Sequence, residues 1–245
     1  MRFQDKVAVI ASGGTGAGLA CARRFLSEGA RVALYGDTEE LQKEALELEA
    51  SYPGRLLAIR IRDYRNREEL TAAARKALKE FGTADILVTA ITTKPKNAPE
   101  EDEEEYQRIL HTILDGALYS VQPYMDTLIN NRYGRIVLIS SLAGRTNVPG
   151  ASPAYAAAHA GLGGMARNIG CTMGIYTITA NCIAAGALED GSYDDCAPGA
   201  CDGRISGREK GRLSDVAAAV EYLAADLASW TTGETLDLNG GRFMT

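Results

Sequence analysis

Apolar, β-branched runs of strand length alternate with helical stretches from one end of the chain to the other. The runs KVAVIA, ARVALY, RLLAIRI, ADILVTA, RIVLIS, TITANCIA and GETLDL read as seven short strands. Between them, the spacing predicts helices from the glycines at 14, 16 and 18 through Phe25, from about Thr38 to Ala50, and from Arg67 to Glu80. Short continuous apolar strands that alternate with helices are the pattern of a parallel sheet buried on both faces. The expected architecture is a single α/β domain over residues 1–245: a Rossmann-like, doubly wound parallel sheet with helices on both faces.

Two longer helices follow. Tyr106, Ile109, Leu110, Ile113, Leu114, Ala117, Leu118 and Val121 recur at spacings of three and four, which places them on one broad face of a helix running to about Asn130. The acidic run Glu100 to Glu105 stands at its start, where carboxylates favour the positive end of the helix dipole. The helix from Pro153 to about Cys171 carries Ala156, Ala157, Ala158, Ala160, Gly161, Gly163 and Gly164, small residues that allow another helix to approach closely.

Composition narrows the function classes. A chain of 245 residues, 46% of them hydrophobic, can bury a substantial core. A net charge of −6 argues against nucleic acid or an anionic membrane as partner. No apolar run reaches the ~18 residues of a membrane helix, and MRFQDKVAVI lacks a signal-peptide layout, so a cytoplasmic location is expected. Cys21, Cys171, Cys182, Cys196 and Cys201 show no metal-ligand spacing and read as reduced thiols. No metal is expected. Cys196 and Cys201, in a Gly- and Asp-rich loop, read as ordinary loop cysteines.

The candidate chemistry lies in three places: a Gly-rich turn after the first strand, Ser140-Ser141 after a later one, and Tyr155 opening a helix fourteen residues beyond Ser141. This order, with the tail from Asp215-Val216-Ala217 through Gly233 to Asn239-Gly240-Gly241, resembles the short-chain dehydrogenase/reductase family over essentially the whole chain. The resemblance implies a doubly wound sheet that binds NAD or NADP and interconverts alcohols and ketones.

Against that family the chain departs at several separated points. The family's Thr-Gly-x-x-x-Gly-x-Gly is represented by Ala11 to Gly18: Gly16 and Gly18 match, while Ser12 stands at the first glycine, where a positive φ would cost a side chain about 1 kcal/mol. Gly36 occupies the place of the ribose-binding Asp, with Asp37 one residue later, and Asp63 matches the acidic position near the adenine. Thr89-Ala90-Ile91-Thr92 replaces Asn-Asn-Ala-Gly, and Ala185-Gly186 replaces Pro-Gly.

The family's catalytic set is Asn, Ser, Tyr and Lys. Here Ser141 and Tyr155 match, Ile113 stands in place of Asn and His159 in place of Lys. An unassisted tyrosine, with pKa near 10, is ionised in only about one molecule in a thousand at pH 7, and a neighbouring cation raises that fraction. A histidine is mostly neutral there, although neutral His159 could accept a bond from Tyr155 and act as a poor base. Ile113 has no polar atom to hold a relay water. Ser141, Tyr155 and His159 also have plain structural readings, as a strand-end cap, a buried aromatic and a satisfied histidine.

From these departures the expectation is a non-catalytic subunit, binding no cofactor itself, that supports a homologous catalytic subunit carrying NAD or NADP. Assembly would run through the helices at 101–130 and 153–172 and the C-terminal segment, in a heterotetramer. The resemblance extends to heteromers of this kind that oxidise a hydroxyacyl-CoA, such as the hydroxyphenylmethyl-succinyl-CoA of anaerobic toluene (benzylsuccinate) catabolism. Two alternatives stay open: a divergent NAD(P)-dependent ketoreductase using Ser141, Tyr155 and His159, and a cofactor-free ligand-binding or regulatory module. A serine hydrolase is disfavoured by the lack of a Gly-x-Ser-x-Gly elbow.

Overall fold

Seven parallel strands form one sheet in the order β3-β2-β1-β4-β5-β6-β7. The computed structural model describes residues 1–12, 14–36, 38–94, 101–193 and 210–244. The strands are β1 Val7–Ala11, β2 Arg31–Gly36, β3 Leu56–Arg60, β4 Ile86–Thr89, β5 Gly134–Ser141, β6 Ile178–Ala185 and β7 Thr235–Leu238. All seven fall where the apolar runs predict them. The chain leaves β1 towards β2 and β3 on one side and returns to β4 on the other, so a crevice opens at the C-terminal ends of β1 and β4. Sheets of this class bind their ligands at such a reversal.

Helices cover both faces. On one, α1 (Gly16–Ser27), α2 (Glu40–Ser51) and α8 (Leu213–Ala224) bury Phe25, Leu26, Leu41, Leu48, Val216 and Val220 against the sheet. On the other, α3 (Arg67–Phe81), the segment from α4 (Glu103–Leu110) through α5 (Gly116–Val121) to α6 (Met125–Asn131), and α7 (Pro153–Met173) bury Leu70, Ile109, Ile113, Leu128, Tyr155 and Leu162. The start and stop of α3 follow from its sequence. Asn66 accepts from the backbone N–H groups of Glu68 and Glu69 at 3.0 and 3.1 Å, and Gly82 closes the helix at φ 76°.

Three expectations need revision. The helix expected from Tyr106 to Asn130 is broken into a π turn at His111–Asp115 and a 3₁₀ turn at Gln122–Tyr124. At the latter, Pro123 has no N–H to continue the ladder. The second helix begins at Glu40, not Thr38, and no side-chain cap bond holds its start. Finally, α8 was absent from the expected elements. Its apolar spacing at 216, 217, 220, 223 and 224 follows a helical period, and Asp215 caps the start by accepting from Arg212 N at 2.9 Å. No helix among the described residues is long and apolar enough to cross a membrane.

Candidate active site

Ser141 closes β5, and the turn that follows carries it against α7. Gly144 makes that approach possible: a Cβ there would stand 2.6 Å from the backbone of both His159 and Ala160. Ser140 Oγ donates to the His159 carbonyl at 2.8 Å, and the Ser141 amide donates to His159 Nδ1 at 3.1 Å. Ser141 Oγ accepts from Ala143 N at 3.0 Å, the strand-end cap of the plain reading. The start of α7, which carries Tyr155, is fixed by Pro153 in its first turn, by Ser152 Oγ accepting from Tyr155 N at 3.2 Å and by Glu101 Oε2 accepting from Ala154 N at 3.2 Å.

Tyr155 and His159, one helical turn apart, pack edge to face with ring centroids 4.3 Å apart. Both are buried, as is Ser141. Because Nδ1 of His159 accepts from Ser141, a neutral ring carries its proton on Nε2. Burial pushes the His159 pKa down to about 3, so the ring is neutral across the physiological range. His159 is therefore neither the cation that lysine would be nor a base toward Tyr155, since its only acceptor nitrogen is engaged.

The residue sequence reasoning missed is Thr92, three positions beyond the end of β4. Its Oγ1 lies 3.3 Å from Tyr155 Oη and 3.4 Å from His159 Nε2, joining the two. The signal was its place in Thr89-Ala90-Ile91-Thr92, where the family has glycine and this chain has a hydroxyl. Ile113 is buried in the core, as its apolar side chain dictates, and the neighbouring Thr112 lines the crevice instead. Thr89 is buried at the end of β4, in register with Ala11 and Leu138.

The crevice holds a cavity of about 280 Å³ lined by Ser12, Asp63, Tyr64, Thr92, Arg108 and Thr112, among others. Ser12 adopts φ 65°, the left-handed turn that the glycine position calls for, and its N–H donates to Tyr64 Oη at 2.9 Å. Asp63 is paired with Arg65 at 2.9 Å, and that bond holds its carboxyl below the usual range. Arg108 ties α4 to the strand-end segment: it bonds buried Glu105 at 2.7 Å and Thr93 Oγ1 at 2.6 Å.

The cradle for a dinucleotide is kept in its backbone. A Cβ at Gly14 would meet Thr38 Oγ1 at 2.8 Å, and Gly16 has φ 56°. The start of α1 has no side-chain cap, and buried Thr38 Oγ1 has no hydrogen-bond partner. A helix N-terminus without a side-chain cap and an unused buried hydroxyl just beyond β2 fit a phosphate and a ribose. Asp190 Oδ2 stands 2.7 Å from the Cβ position of Gly16, so an anion there requires that carboxylate to turn aside. Asp37, Cys196 and Cys201 lie outside the described residues. Among the described residues, no group of three or more His, Cys, Asp or Glu could hold a metal ion.

The family model described as enoyl-(acyl carrier protein) reductase matches residues 11–242. The 3-oxoacyl-[acyl-carrier-protein] reductase FabG of Escherichia coli K12 is 31% identical over 248 residues, covering 100% of both chains. The same-named protein of Chlamydia muridarum is 30% identical, covering 97% of each. The 2-dehydro-3-deoxy-L-rhamnonate dehydrogenase (NAD(+)) of Sphingomonas sp. SKA58 is 29% identical, covering 98% of this chain and 96% of its own. The crystal structure of gox2181 superposes with a TM-score of 0.89 at 26% identity, covering 98% of this chain and 96% of that one.

These comparisons overturn the expectations of a non-catalytic subunit and of a chain without cofactor, since the relatives that match end to end are named as reductases and dehydrogenases. The geometry supplies the physical reason. The residues taken as losses are accommodated rather than disruptive: Ser12 holds the glycine-like turn, and Thr92 and His159 form one connected set with Tyr155. From residue 11 to residue 242, this chain belongs to the short-chain dehydrogenase/reductase family.

Proposed function

We propose that the chain is a divergent NAD(P)-dependent ketoreductase in which Tyr155 is the proton donor, Ser141 orients the carbonyl oxygen and His159 positions both. The observation that carries this reading is the joining of β5 to α7 by Ser141 N–H to His159 Nδ1, which holds serine, tyrosine and histidine as one unit. The bound nicotinamide would supply the hydride. The turn from Ser12 to Gly18, the start of α1, Thr38 and Asp63 would hold the cofactor.

A protonated tyrosine donates to the alkoxide that develops in ketone reduction, and an ionised one serves as base in alcohol oxidation. With His159 neutral, no lysine-like cation at that position raises the ionised fraction. Tyr155 and Ser141 are buried, and the ring centroid of Tyr193 lies 6.1 Å from that of His159.

Among substrates we put 3-oxoacyl thioesters first and 2-keto sugar acids second, a ranking supported by the names of the relatives. Oxidation of a hydroxyacyl-CoA, hydroxyphenylmethyl-succinyl-CoA included, is thioester chemistry run in the opposite direction and belongs in the same screen. The test is NADPH or NADH consumption by the purified chain with acetoacetyl-CoA. We expect turnover that Tyr155→Phe reduces by about 100-fold or more. Absence of turnover together with absence of cofactor binding would sink the reading. Assembly with a homologous chain through 101–130, 153–172 and the C-terminal segment, in the cytoplasm, is part of the proposal; native mass spectrometry of the complex from cells distinguishes one kind of chain from two.

A further inference from the structure

We infer that Thr92 is the residue through which Tyr155 regains its proton, in the place of the lysine relay this chain lacks. The inference rests on the proposed reductase reading. Thr92 Oγ1 lies between Tyr155 Oη and His159 Nε2, at 3.3 and 3.4 Å. The Ser141 N–H bond to Nδ1 leaves the His159 proton on Nε2, so the ring donates to Thr92 and occupies one of its lone pairs. The Thr92 hydroxyl can then give its proton to Tyr155 Oη. The remaining lone pair is available to the crevice, since Thr92 lines the cavity of about 280 Å³ together with Thr93, Thr112 and Ser12. A space of that size holds several waters.

The proton balance closes. As the carbonyl carbon gains a hydride, its oxygen takes the phenolic proton of Tyr155. The phenolate takes the proton of Thr92, and Thr92 Oγ1 takes one from a cavity water, whose hydroxide is neutralised in solvent. The sum is one hydride and one solvent proton added across C=O. Both bonds to Thr92 sit at the long end of the hydrogen-bond range and tighten as charge develops on Tyr155. His159 then has a role that needs no positive charge: its fixed tautomer aims the threonine.

Thr92→Val removes the hydroxyl at nearly constant shape, and Thr92→Ser keeps it. With acetoacetyl-CoA and the cofactor, Thr92→Val is expected to lower kcat by about 10- to 100-fold with KM within roughly threefold, and Thr92→Ser to restore most of the loss. The second readout uses no turnover. In the cofactor-free chain labelled with 13Cζ-tyrosine, the Tyr155 resonance (assigned by its loss in Tyr155→Phe) shifts in Thr92→Val and stays at the wild-type position in Thr92→Ser. An unmoved resonance in Thr92→Val, or an unchanged kcat, overturns the relay. If the wild-type chain shows neither turnover nor cofactor binding, the reductase reading fails instead, and the resonance still decides whether Thr92 engages Tyr155.

Discussion

At position 12 a serine holds a backbone conformation that L side chains enter at a cost, φ 65°, because the turn from β1 into α1 demands it. Its amide is anchored on Tyr64 Oη. Ser12→Gly should relieve about 0.5–1 kcal/mol, partly offset by the greater freedom of glycine when unfolded. Urea unfolding followed by circular dichroism should show a higher midpoint with unchanged slope, and a lower midpoint would mean that the serine side chain contributes a contact of its own. This strain was legible beforehand, since a glycine position that needs positive φ needs it whatever residue stands there. The role of Thr92 was not. Its hydroxyl acquires meaning only from the fold, which carries residue 92 to residues 155 and 159 across a long sequence separation. The neutrality of His159 was legible, but its tautomer was not, because that depends on a backbone N–H from another element.

The junction of β5 with α7 is what turns these residues into a site. Two consecutive serines tie the strand end to the helix, one to a carbonyl and one to an imidazole nitrogen, and Gly144 lets the turn lie against the helix backbone. A methyl group there would stand 2.6 Å from main-chain atoms that no rotamer change can move. Gly144→Ala should therefore cost about 1–3 kcal/mol and displace Ser141 from His159. Thermal unfolding reads the first effect and a loss of kcat larger than the change in KM reads the second; a variant with wild-type melting and turnover would show the junction to be pliant. The strands were readable as elements because β-branched apolar runs bounded by polar stretches have few other uses. The interruptions between Glu103 and Asn131 were not, because the apolar period of Ile109, Ile113 and Ala117 runs unbroken through the π turn.

For the molecule as a whole, the buried neutral His159 links folding to proton concentration. In the unfolded chain a histidine takes up its proton near pH 6.5, whereas in the folded chain burial lowers that point to about 3. Between those values the unfolded state binds more protons, so stability is complete above about pH 6.5 and falls as pH drops toward the folded value, by up to about 1.4 kcal/mol per pH unit. Carboxylates held low by their partners, such as Asp63 beside Arg65, contribute in the same direction but only nearer their own range, around pH 4 and below. The window from about pH 6.5 to 5 therefore isolates the histidine. His159→Gln can accept from Ser141 N and donate to Thr92 without titrating. Its unfolding free energy should be flat across that window, while the wild-type value declines by about 1–2 kcal/mol. The exposed His111 is common to both proteins and cancels in the comparison. Equal slopes would mean that His159 is protonated inside the fold, and a cation beside Tyr155 would then return as the source of its acidity.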